Sequence, residues 1–242
     1  MADDLARFVK DYDRRLFWSV LFAPVAHRQA LITLYAFAIE MKRIRFLVSE
    51  PGLGIIRLEW WREGLDGSRD QEFSNVSLGA ALRDLFSRYH LSRAPFLSLI
   101  DARAEEIESH GFAEKPDEAT IEHYCGACHA VLIHLATLIL NDGKDIGLSD
   151  VSGHAGMVFG LIEALREDRL ALSRQDLATL AREHLIKMRG ALHAVPEHVR
   201  AAYLPLVIAE PFLNTAHLTM DRLNFYEPYA LSILWRMVRF KV

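Results

Sequence analysis

The chain is poor in the residues and patterns that identify most metal, redox and hydrolytic proteins. Only two of its 242 residues are cysteine, Cys125 and Cys128. A zinc site needs about four ligands, and no second cysteine pair exists to complete one. The sequence also lacks a Ser-His-Asp order, a phosphate-cradling glycine loop and a His-Glu-x-x-His pattern. These absences argue against the common zinc, hydrolase and nucleotide-binding classes.

Cys125 and Cys128 form a Cys-x-x-Cys pair that is followed by His129. This pattern also occurs in redox sites, metal sites and covalent haem attachment. The simpler interpretation is two small residues in a buried helix, which suits the reduced thiols of a cytosolic protein. We favour the structural interpretation because no further cysteine is available.

Strong basic charge and long apolar runs are also missing. The net charge is −4, which gives no reason to expect nucleic acid as a partner. The N-terminal residues are acidic and lack the basic start and apolar run of a signal peptide. The most apolar stretch, residues 127–140, contains His129 and His134 and is shorter than the roughly 18 residues of a membrane span. We therefore expect a cytoplasmic protein with this stretch as a core helix.

Helical periodicity runs along the chain, without strand alternation, a fixed repeat or a linker. Apolar residues spaced three and four apart mark a first clear helix over residues 31–46, with Pro24 near its start. Residues 11–15 are expected to precede the first helix, residues 66–77 to form a loop, and Asn141 to Gly143 a turn. Further helices are expected over the segments 55–65, 78–89, 95–109, 117–140, 153–170, 176–194, 196–219 and 229–240. The sequence therefore predicts an all-α protein with one domain over residues 1–242.

Several unusual residues occur in a fixed order in the first quarter of the chain. They are Leu-Phe-Ala-Pro at 21–24, Arg28, Leu-Tyr-Ala-Phe at 34–37, Glu40, Val-Ser-Glu-Pro at 48–51 and Ile-Arg-Leu-Glu-Trp-Trp-Arg at 56–62. Three weaker stretches follow in order, at 95–107, 124–140 and 155–168. In these residues the chain resembles the squalene/phytoene synthase family over nearly its whole length.

The resemblance implies a single helical bundle of the isoprenoid synthase type around a central apolar cavity. Enzymes of the family join two prenyl diphosphates head to head, with two Asp-rich helix segments that bind diphosphate through Mg²⁺. The metal neutralises the leaving diphosphate as the allylic bond ionises. Apolar walls then shield the carbocation from water.

The first Asp-rich motif is degenerate in this chain. The resemblance places it at Glu40, Lys42, Arg43 and Phe46, with the paired aspartates replaced by Lys42 and Arg43. Ammonium and guanidinium groups carry only hydrogen-bond donors, so they cannot ligate Mg²⁺, which requires oxygen ligands.

The second motif is weakened as well. The resemblance places it at Glu163, Arg166, Glu167 and Asp168, and the position four residues after Glu167 is an alanine. The basic, proline-containing loop that the family carries after this motif is shortened here to residues 170–173. Loss at both motifs argues against Mg²⁺-dependent ionisation of a diphosphate.

The closer resemblance is to a branch without the Asp motifs, which includes mitochondrial complex I assembly factors. It implies a non-catalytic assembly or scaffold factor for a respiratory complex, without a cofactor and peripheral at the inner membrane. One alternative is an active prenyl transferase of the squalene or phytoene type. It would rebuild an Mg²⁺ site from Glu40, Glu163, Glu167 and Asp168. Another alternative is a lipid- or isoprenoid-binding module that uses the cavity.

The cations near the first motif allow two hypotheses. Lys42, Arg43 and Arg45 either bind an anion, such as a phosphate, a lipid head group or an acidic partner, or form an exposed face that pairs with acids such as Glu40. Arg14 and Arg28 are further candidate anion contacts, because a basic residue in this region of family enzymes helps with diphosphate.

The adjacent Trp60 and Trp61, with nearby arginines, also allow two hypotheses. Either they form a surface that contacts a partner or a membrane, or they pack in the core as ordinary aromatic residues. Successive helical residues point about 100° apart, so at most one tryptophan is expected in the core. The partners considered are thus a protein, a lipid or isoprenoid ligand and a membrane surface, and no nucleic acid is expected.

Overall fold

The described part of the chain is helical throughout. The computed structural model describes residues 2–109, 117–167, 173–215, 235–237 and 239. Within these ranges every regular element is an α-, π- or 3₁₀-helix. The predicted all-α class is confirmed.

The α-helices follow one another along the chain with short connections. They are α1 (Ala2–Tyr12), α2 (Arg14–Leu21), α3 (Val25–Leu47), α4 (Pro51–Asp66), α5 (Asp70–Asn75), α6 (Ser77–Tyr89), α7 (Ala94–Glu108), α8 (Glu118–Cys125), α9 (Val131–Leu140), α10 (Ser149–Glu167), α11 (Arg174–Ala191) and α12 (Ala209–Thr215). A π-helical turn, Gly126–Ala130, joins α8 to α9, and two 3₁₀ segments, Leu192–Ala194 and Glu197–Ile208, lie between α11 and α12.

Helix α3 forms the centre of the bundle. Most of its positions from Ala30 to Ile44 are buried, and helices α1, α2, α4, α6, α7 and α9 pack around it. A helix with neighbours on several sides must be apolar around most of its circumference. The helix begins directly after Pro24, as predicted, and it extends the predicted segment 31–46 at both ends.

The long apolar helix predicted from Asp117 is present, with the π-helical turn inside it. The carboxylate of Asp117 accepts a hydrogen bond from the backbone N–H of Thr120 at 2.8 Å, which caps the helix as its acidic start predicted. The helix Ala119–Leu140 has a mean hydropathy of 1.5 over its best window, so by length and composition it is long enough to cross a membrane. The expectation that this stretch is too short is therefore wrong. Since 61% of that window is buried inside the protein, the helix packs as a core helix does.

Two glycines bring α10 into direct contact with the π-helical turn. A Cβ atom on Gly156 would collide with the backbone of Ala130, and one on Gly160 would lie 2.5 Å from Sγ of Cys125. Any side chain at these positions would push the two helices apart. This close approach places Glu163, one turn beyond Gly160, beside the interior of the bundle.

The expectation that residues 11–15 precede the first helix is wrong. Asp11 lies in α1, and Arg14 and Arg15 begin α2. Asp13 ends one helix and caps the next, because its carboxylate accepts from the backbone N–H groups of Arg15 at 3.0 Å and Leu16 at 3.3 Å. The polar stretch is therefore a helix junction.

Residues 66–77 contain a short helix, Asp70–Asn75, and the loop predicted for the whole segment is wrong. Phe73 is fully buried, and its ring centroid lies 6.0 Å from that of Trp60 and 5.7 Å from that of Trp61. This anchor stabilises a turn of helix that the polar sequence does not indicate. Trp61 is buried and Trp60 is partly buried, as expected for adjacent residues on one helix.

The turn predicted at Asn141 to Gly143 is confirmed. Asp142 and Gly143 both have positive φ, 52° and 82°, and a left-handed pair of this kind ends a helix. The remaining expected helices differ by a few residues at their ends, and 196–219 begins as a 3₁₀ segment. Residues 110–116, 168–172 and 216–234 lie outside the described part. Three expectations fall on these residues: the connection at 111–116, the end of the helix 153–170 and the end of the helix 196–219. Most of the expected helix 229–240 also lies outside the described part.

Candidate functional site

A cavity of about 350 Å³ lies between α3, α10, the π-helical turn and the junction of α1 with α2. Its apolar wall includes Leu16, Ala38, Ile39, Leu132 and Phe159. Its polar lining consists of Asp13, Lys42, Arg43, Arg103, His129 and Glu163. Lys42, Arg43 and Phe46 of the first degenerate motif and Glu163 of the second thus line the same cavity.

Lys42 connects the two motifs. Its ammonium nitrogen lies 2.9 Å from Oε2 of Glu163 and 2.7 Å from Oε1 of Glu167. The two glutamates are four residues apart on α10, so they project from the same face of that helix. Lys42 is partly buried and Glu163 is only 3% exposed, which shields the contact from water.

Arg15 forms the second cationic contact of Glu163. The Arg15 guanidinium donates to Oε1 of Glu163 at 3.1 Å and to Oδ2 of Asp13 at 2.6 Å, and it lies over the ring of Phe159. Arg15 is 1% exposed. A buried charge of this kind is tolerated because two carboxylates neutralise it.

The charge of Arg15 controls the ionisation of Asp13. Burial by itself raises the pKa of Asp13, but the nearby guanidinium and its hydrogen bond outweigh this effect and lower the pKa below 3.8. Asp13 therefore remains a carboxylate at neutral pH.

Arg45 of α3 and Arg103 of α7 share a buried carboxylate beside the cavity. Glu106 accepts from Arg45 at 2.5 Å, from Arg103 at 2.8 Å and from the hydroxyl of Tyr124 at 3.0 Å. Arg103 also donates to Tyr124. This cluster joins α3, α7 and α8 next to the cavity.

Arg43 pairs with a carboxylate of its own helix. Its guanidinium donates to Oε2 of Glu40 at 3.0 Å, and it stacks over the rings of Tyr12 and Phe8. Phe46 is 59% exposed and lines the cavity. Thus the cations of the first motif pair with acids, including the expected Glu40, although Lys42 and Arg43 are partly buried.

Two predicted anion contacts lie away from the cavity lining. Arg14 is exposed on α2. Arg28 donates to the backbone carbonyls of Ala23 at 2.9 Å and Leu21 at 2.8 Å, at the end of α2. Their contact with an anion stays a prediction. Of the remaining second-motif residues, Arg166 lies on the last turn of α10 and Asp168 falls outside the described residues.

Sequence reasoning missed Arg15, Arg103 and Glu106 as parts of the site. One available signal was Asp13, an N-cap residue type that comes two arginines before the apolar run from Leu16. The other signal was a charged residue on the apolar face of a predicted helix. Arg103 and Glu106 both lie within the predicted helix 95–109.

His129 belongs to the cavity wall. Its ring stacks on Phe159 with the centroids 5.2 Å apart, and it lies 3.9 Å from Oε2 of Glu163. Cys125 and Cys128 are buried beside it, as expected of small residues in a core helix.

The residues present do not fit a resident Mg²⁺ ion. Across the part of the chain that the structure describes, no group of three or more His, Cys, Asp or Glu side chains could hold a metal. Glu163 and Glu167 contact the ammonium of Lys42, and Glu163 also contacts Arg15. A lysine in this position excludes a divalent ion by charge and by space.

Comparisons with known proteins show which family and which fold this chain shares. Residues 9–168 match the family described as squalene/phytoene synthase. NADH dehydrogenase (ubiquinone) complex I, assembly factor 6, of Bos taurus is 23% identical over 269 residues, covering 94% of this chain and 79% of that protein. Presqualene diphosphate synthase of Zymomonas mobilis is 26% identical over 145 residues, covering 60% of this chain and 48% of the enzyme.

The solved structure of a dehydrosqualene synthase in complex with ligand has a TM-score of 0.74 and 16% sequence identity, covering 99% of this chain and 95% of that chain. At this identity the likeness shows the isoprenoid synthase fold alone. The family match extends over well more than half of the chain, from residue 9 to residue 168. The chain therefore belongs to the squalene/phytoene synthase family.

Proposed function

We propose that this protein is a non-catalytic assembly or scaffold factor for a respiratory complex and that it acts on a protein partner. It keeps the fold of the family and works without a metal cofactor. Its surface and its stable helical bundle, rather than chemistry in the cavity, carry the activity.

The contact of Lys42 with both glutamates of α10 carries this proposal. Ionisation of an allylic diphosphate needs a divalent cation where the negative charge develops. In this chain a lysine ammonium lies 2.9 Å from Glu163 and 2.7 Å from Glu167 instead. A single fixed charge on a side chain cannot also bridge the phosphate oxygens of a substrate as a metal with open coordination positions does.

The curated relatives support the assembly role. The match to assembly factor 6 of Bos taurus covers 94% of this chain, whereas the match to the Zymomonas enzyme covers 60%. The alignment to a protein named for assembly thus includes segments that the alignment to the enzyme leaves out.

A direct assay tests the absence of catalysis. Purified protein is incubated with Mg²⁺ and farnesyl or geranylgeranyl diphosphate, and diphosphate release and C30 or C40 products are measured. The Zymomonas enzyme is the positive control. We expect no product above the enzyme-free blank. Turnover within about a hundredfold of the median enzyme rate of about 10 s⁻¹ would contradict the proposal and support a prenyl transferase.

The assembly role is tested by deletion of the gene in the organism that carries it. We expect less assembled NADH dehydrogenase complex on native gels and lower NADH-quinone activity, both restored by the wild-type gene. Normal complex levels in the deletion strain would contradict the role. We also propose that the protein is peripheral at the inner membrane, and high-salt extraction of membrane fractions tests this location.

A second candidate function is the binding of a lipid or isoprenoid in the cavity. Arg103 favours it, because this buried residue lines the cavity and its Nε has no acceptor among the described residues. Lipid extracted from the purified protein is identified by mass spectrometry. Leu132→Trp fills the cavity and should remove the lipid, whereas Ile186→Trp on the exposed face of α11 should retain it.

A further inference from the structure

We infer that the mouth of the cavity, formed by Tyr12, Phe46 and Leu47, is the surface with which this protein docks on a membrane that contains anionic phospholipid. This inference rests on the proposed location at a membrane and adds the part of the protein that makes the contact. It is tested apart from the assembly role, because vesicle binding by the purified protein and complex assembly in cells can fail separately.

The exposure of the lining residues locates the mouth. Among the described residues that line the cavity, only three are exposed, and all three are large apolar or aromatic residues. Tyr12 is 54% exposed, Phe46 is 59% exposed and Leu47 is 46% exposed. Exposed lining residues mark the place where a cavity meets the protein surface. Because a cluster of exposed apolar side chains usually marks a contact site, the mouth is a candidate for one.

The apolar surface continues at the start of α4. Leu53 and Ile56 are exposed, and their spacing of three residues places them on one face of that helix. The first turn of α4 packs against the end of α3, since a Cβ atom on Gly54 would lie 3.3 Å from Cγ2 of Val48. Four of the eleven exposed large hydrophobic residues in the described part of the chain thus fall within residues 46–56.

Positive charge accompanies these apolar residues. Arg45 has 23% of its side chain exposed, whereas its partner Glu106 has only 1%, so the cation is the outer member of this ion pair. The Arg45 guanidinium lies over the ring of Phe46, 4.7 Å from its centroid. Arg57 is exposed next to Ile56. Although the net charge of the chain is −4, the segment between Glu40 and Glu59 contains four cations and one acid, namely Lys42, Arg43, Arg45, Arg57 and Glu50.

A phospholipid surface fits this combination of side chains. Apolar and aromatic side chains enter the boundary between head groups and acyl chains, while nearby arginines and lysines stay at the anionic head groups. The apolar surface also continues from the mouth into the cavity wall, at Leu16 and Leu132 among others. A protein partner would need a rigid shape that complements such an opening, whereas a fluid lipid surface adapts to it.

The test measures sedimentation of the purified protein with vesicles of phosphatidylcholine, alone or mixed with phosphatidylglycerol. We expect the wild type to bind the mixed vesicles, and to bind them more weakly at high salt. The double variant Phe46→Ser/Leu47→Ser should bind at least about tenfold more weakly. Val25→Ser is the matched control, because Val25 lies at the other end of α3 and is 77% exposed. It should bind as the wild type does.

Two further variants separate the contributions of charge and apolar contact. Arg57→Glu should weaken binding to the mixed vesicles and leave binding to pure phosphatidylcholine unchanged, because only the anionic head groups attract the cation. Leu53→Ser/Ile56→Ser decides the apolar contribution if the variant at Phe46 and Leu47 does not fold, as judged by circular dichroism. It should bind both kinds of vesicle more weakly than Val25→Ser.

Two results would overturn the inference. One is a wild-type protein that binds neither kind of vesicle. If deletion of the gene still lowers the level of NADH dehydrogenase complex, the assembly role would then stand and the mouth would be a surface for a protein partner. The other is a folded Phe46→Ser/Leu47→Ser protein that binds vesicles as tightly as Val25→Ser, because the membrane contact would then lie elsewhere.

Discussion

The guanidinium of Arg15 donates to Oε1 of Glu163 at 3.1 Å and so joins residues 148 positions apart in the sequence. Arg15 begins α2, near the start of the chain, and Glu163 lies near the end of α10. The contact is buried at both partners. A buried ion pair therefore joins the start of α2 to a carboxylate of α10 that lines the cavity.

Removal of Arg15 should destabilise the protein strongly. Arg15→Ala leaves the carboxylates of Asp13 and Glu163 buried without their shared cation. We expect a loss of about 3–5 kcal/mol in the free energy of unfolding, measured with urea. Arg14→Ala changes the exposed neighbour and should cost less than about 0.5 kcal/mol. Similar losses of unfolding free energy in both variants would show that the buried ion pair contributes no more to stability than the exposed Arg14 does.

Asp13 should make stability depend on pH in the acid range. Its folded-state pKa is lowered, chiefly by Arg15, against the opposing effect of burial. The stability that it contributes is therefore present above its unfolded pKa of about 3.9 and is lost as the pH falls through the folded pKa.

The variant Asp13→Asn keeps an oxygen to cap α2 and loses the charge. At pH 7 it should be less stable than the wild type by about 1.5–3 kcal/mol. Urea unfolding at pH 7 and below pH 4 checks whether this difference shrinks in acid. A constant difference would indicate that only the cap matters.

His154 and His184 should produce a second pH dependence near neutrality. Their Nδ1 atoms lie 3.1 Å apart between α10 and α11, so one ring must donate and the other must accept. Burial, then His154 and Lys187, lower the pKa of His184, while Glu122 and Glu183 oppose the shift.

A histidine with a lowered folded-state pKa stabilises the protein above its unfolded pKa and loses this contribution as the pH falls. The free energy of unfolding should therefore decrease between pH 7 and pH 5. His184→Gln should reduce this slope, and His193→Gln, on an exposed residue, should keep it. If the wild type and both variants show the same dependence of stability on pH, groups other than His184 cause that dependence.

Two glycines of α10 should respond in opposite ways to alanine. A Cβ at Gly160 would lie 2.5 Å from Sγ of Cys125 and 2.8 Å from Cδ2 of His129, whereas a Cβ at Gly153 meets nothing within 4 Å. Gly160→Ala should cost about 1–3 kcal/mol through overpacking. Gly153→Ala should stabilise the helix by about 0.5–1 kcal/mol. Thermal unfolding measures both, and a gain in Gly160→Ala would show that α10 can shift without cost.

Local patterns explain how much of the fold the sequence predicted. The apolar spacing in α3, the acidic cap at Asp117 and the turn at Gly143 are short-range signals, and each was confirmed. The segment 66–77 was predicted wrongly because its helix depends on Phe73, whose contacts with Trp60 and Trp61 come from tertiary packing.

The site was predicted in its parts and not in its connections. Lys42, Glu163 and Glu167 were all identified, but no local signal shows that the ammonium reaches both carboxylates. Arg15 was not selected, and arginine is a residue type that is mostly exposed. The structure shows that its guanidinium is buried and pairs with Asp13 and Glu163.

A cation that belongs to a side chain is not subject to mass action. Occupancy of a metal site depends on the concentration of the ion, and a chelator empties it. The Lys42 ammonium is present in every molecule at the same local concentration, from the moment α3 and α10 come together. The contact between α3 and α10 at this cavity thus depends on a charge that a chelator cannot remove.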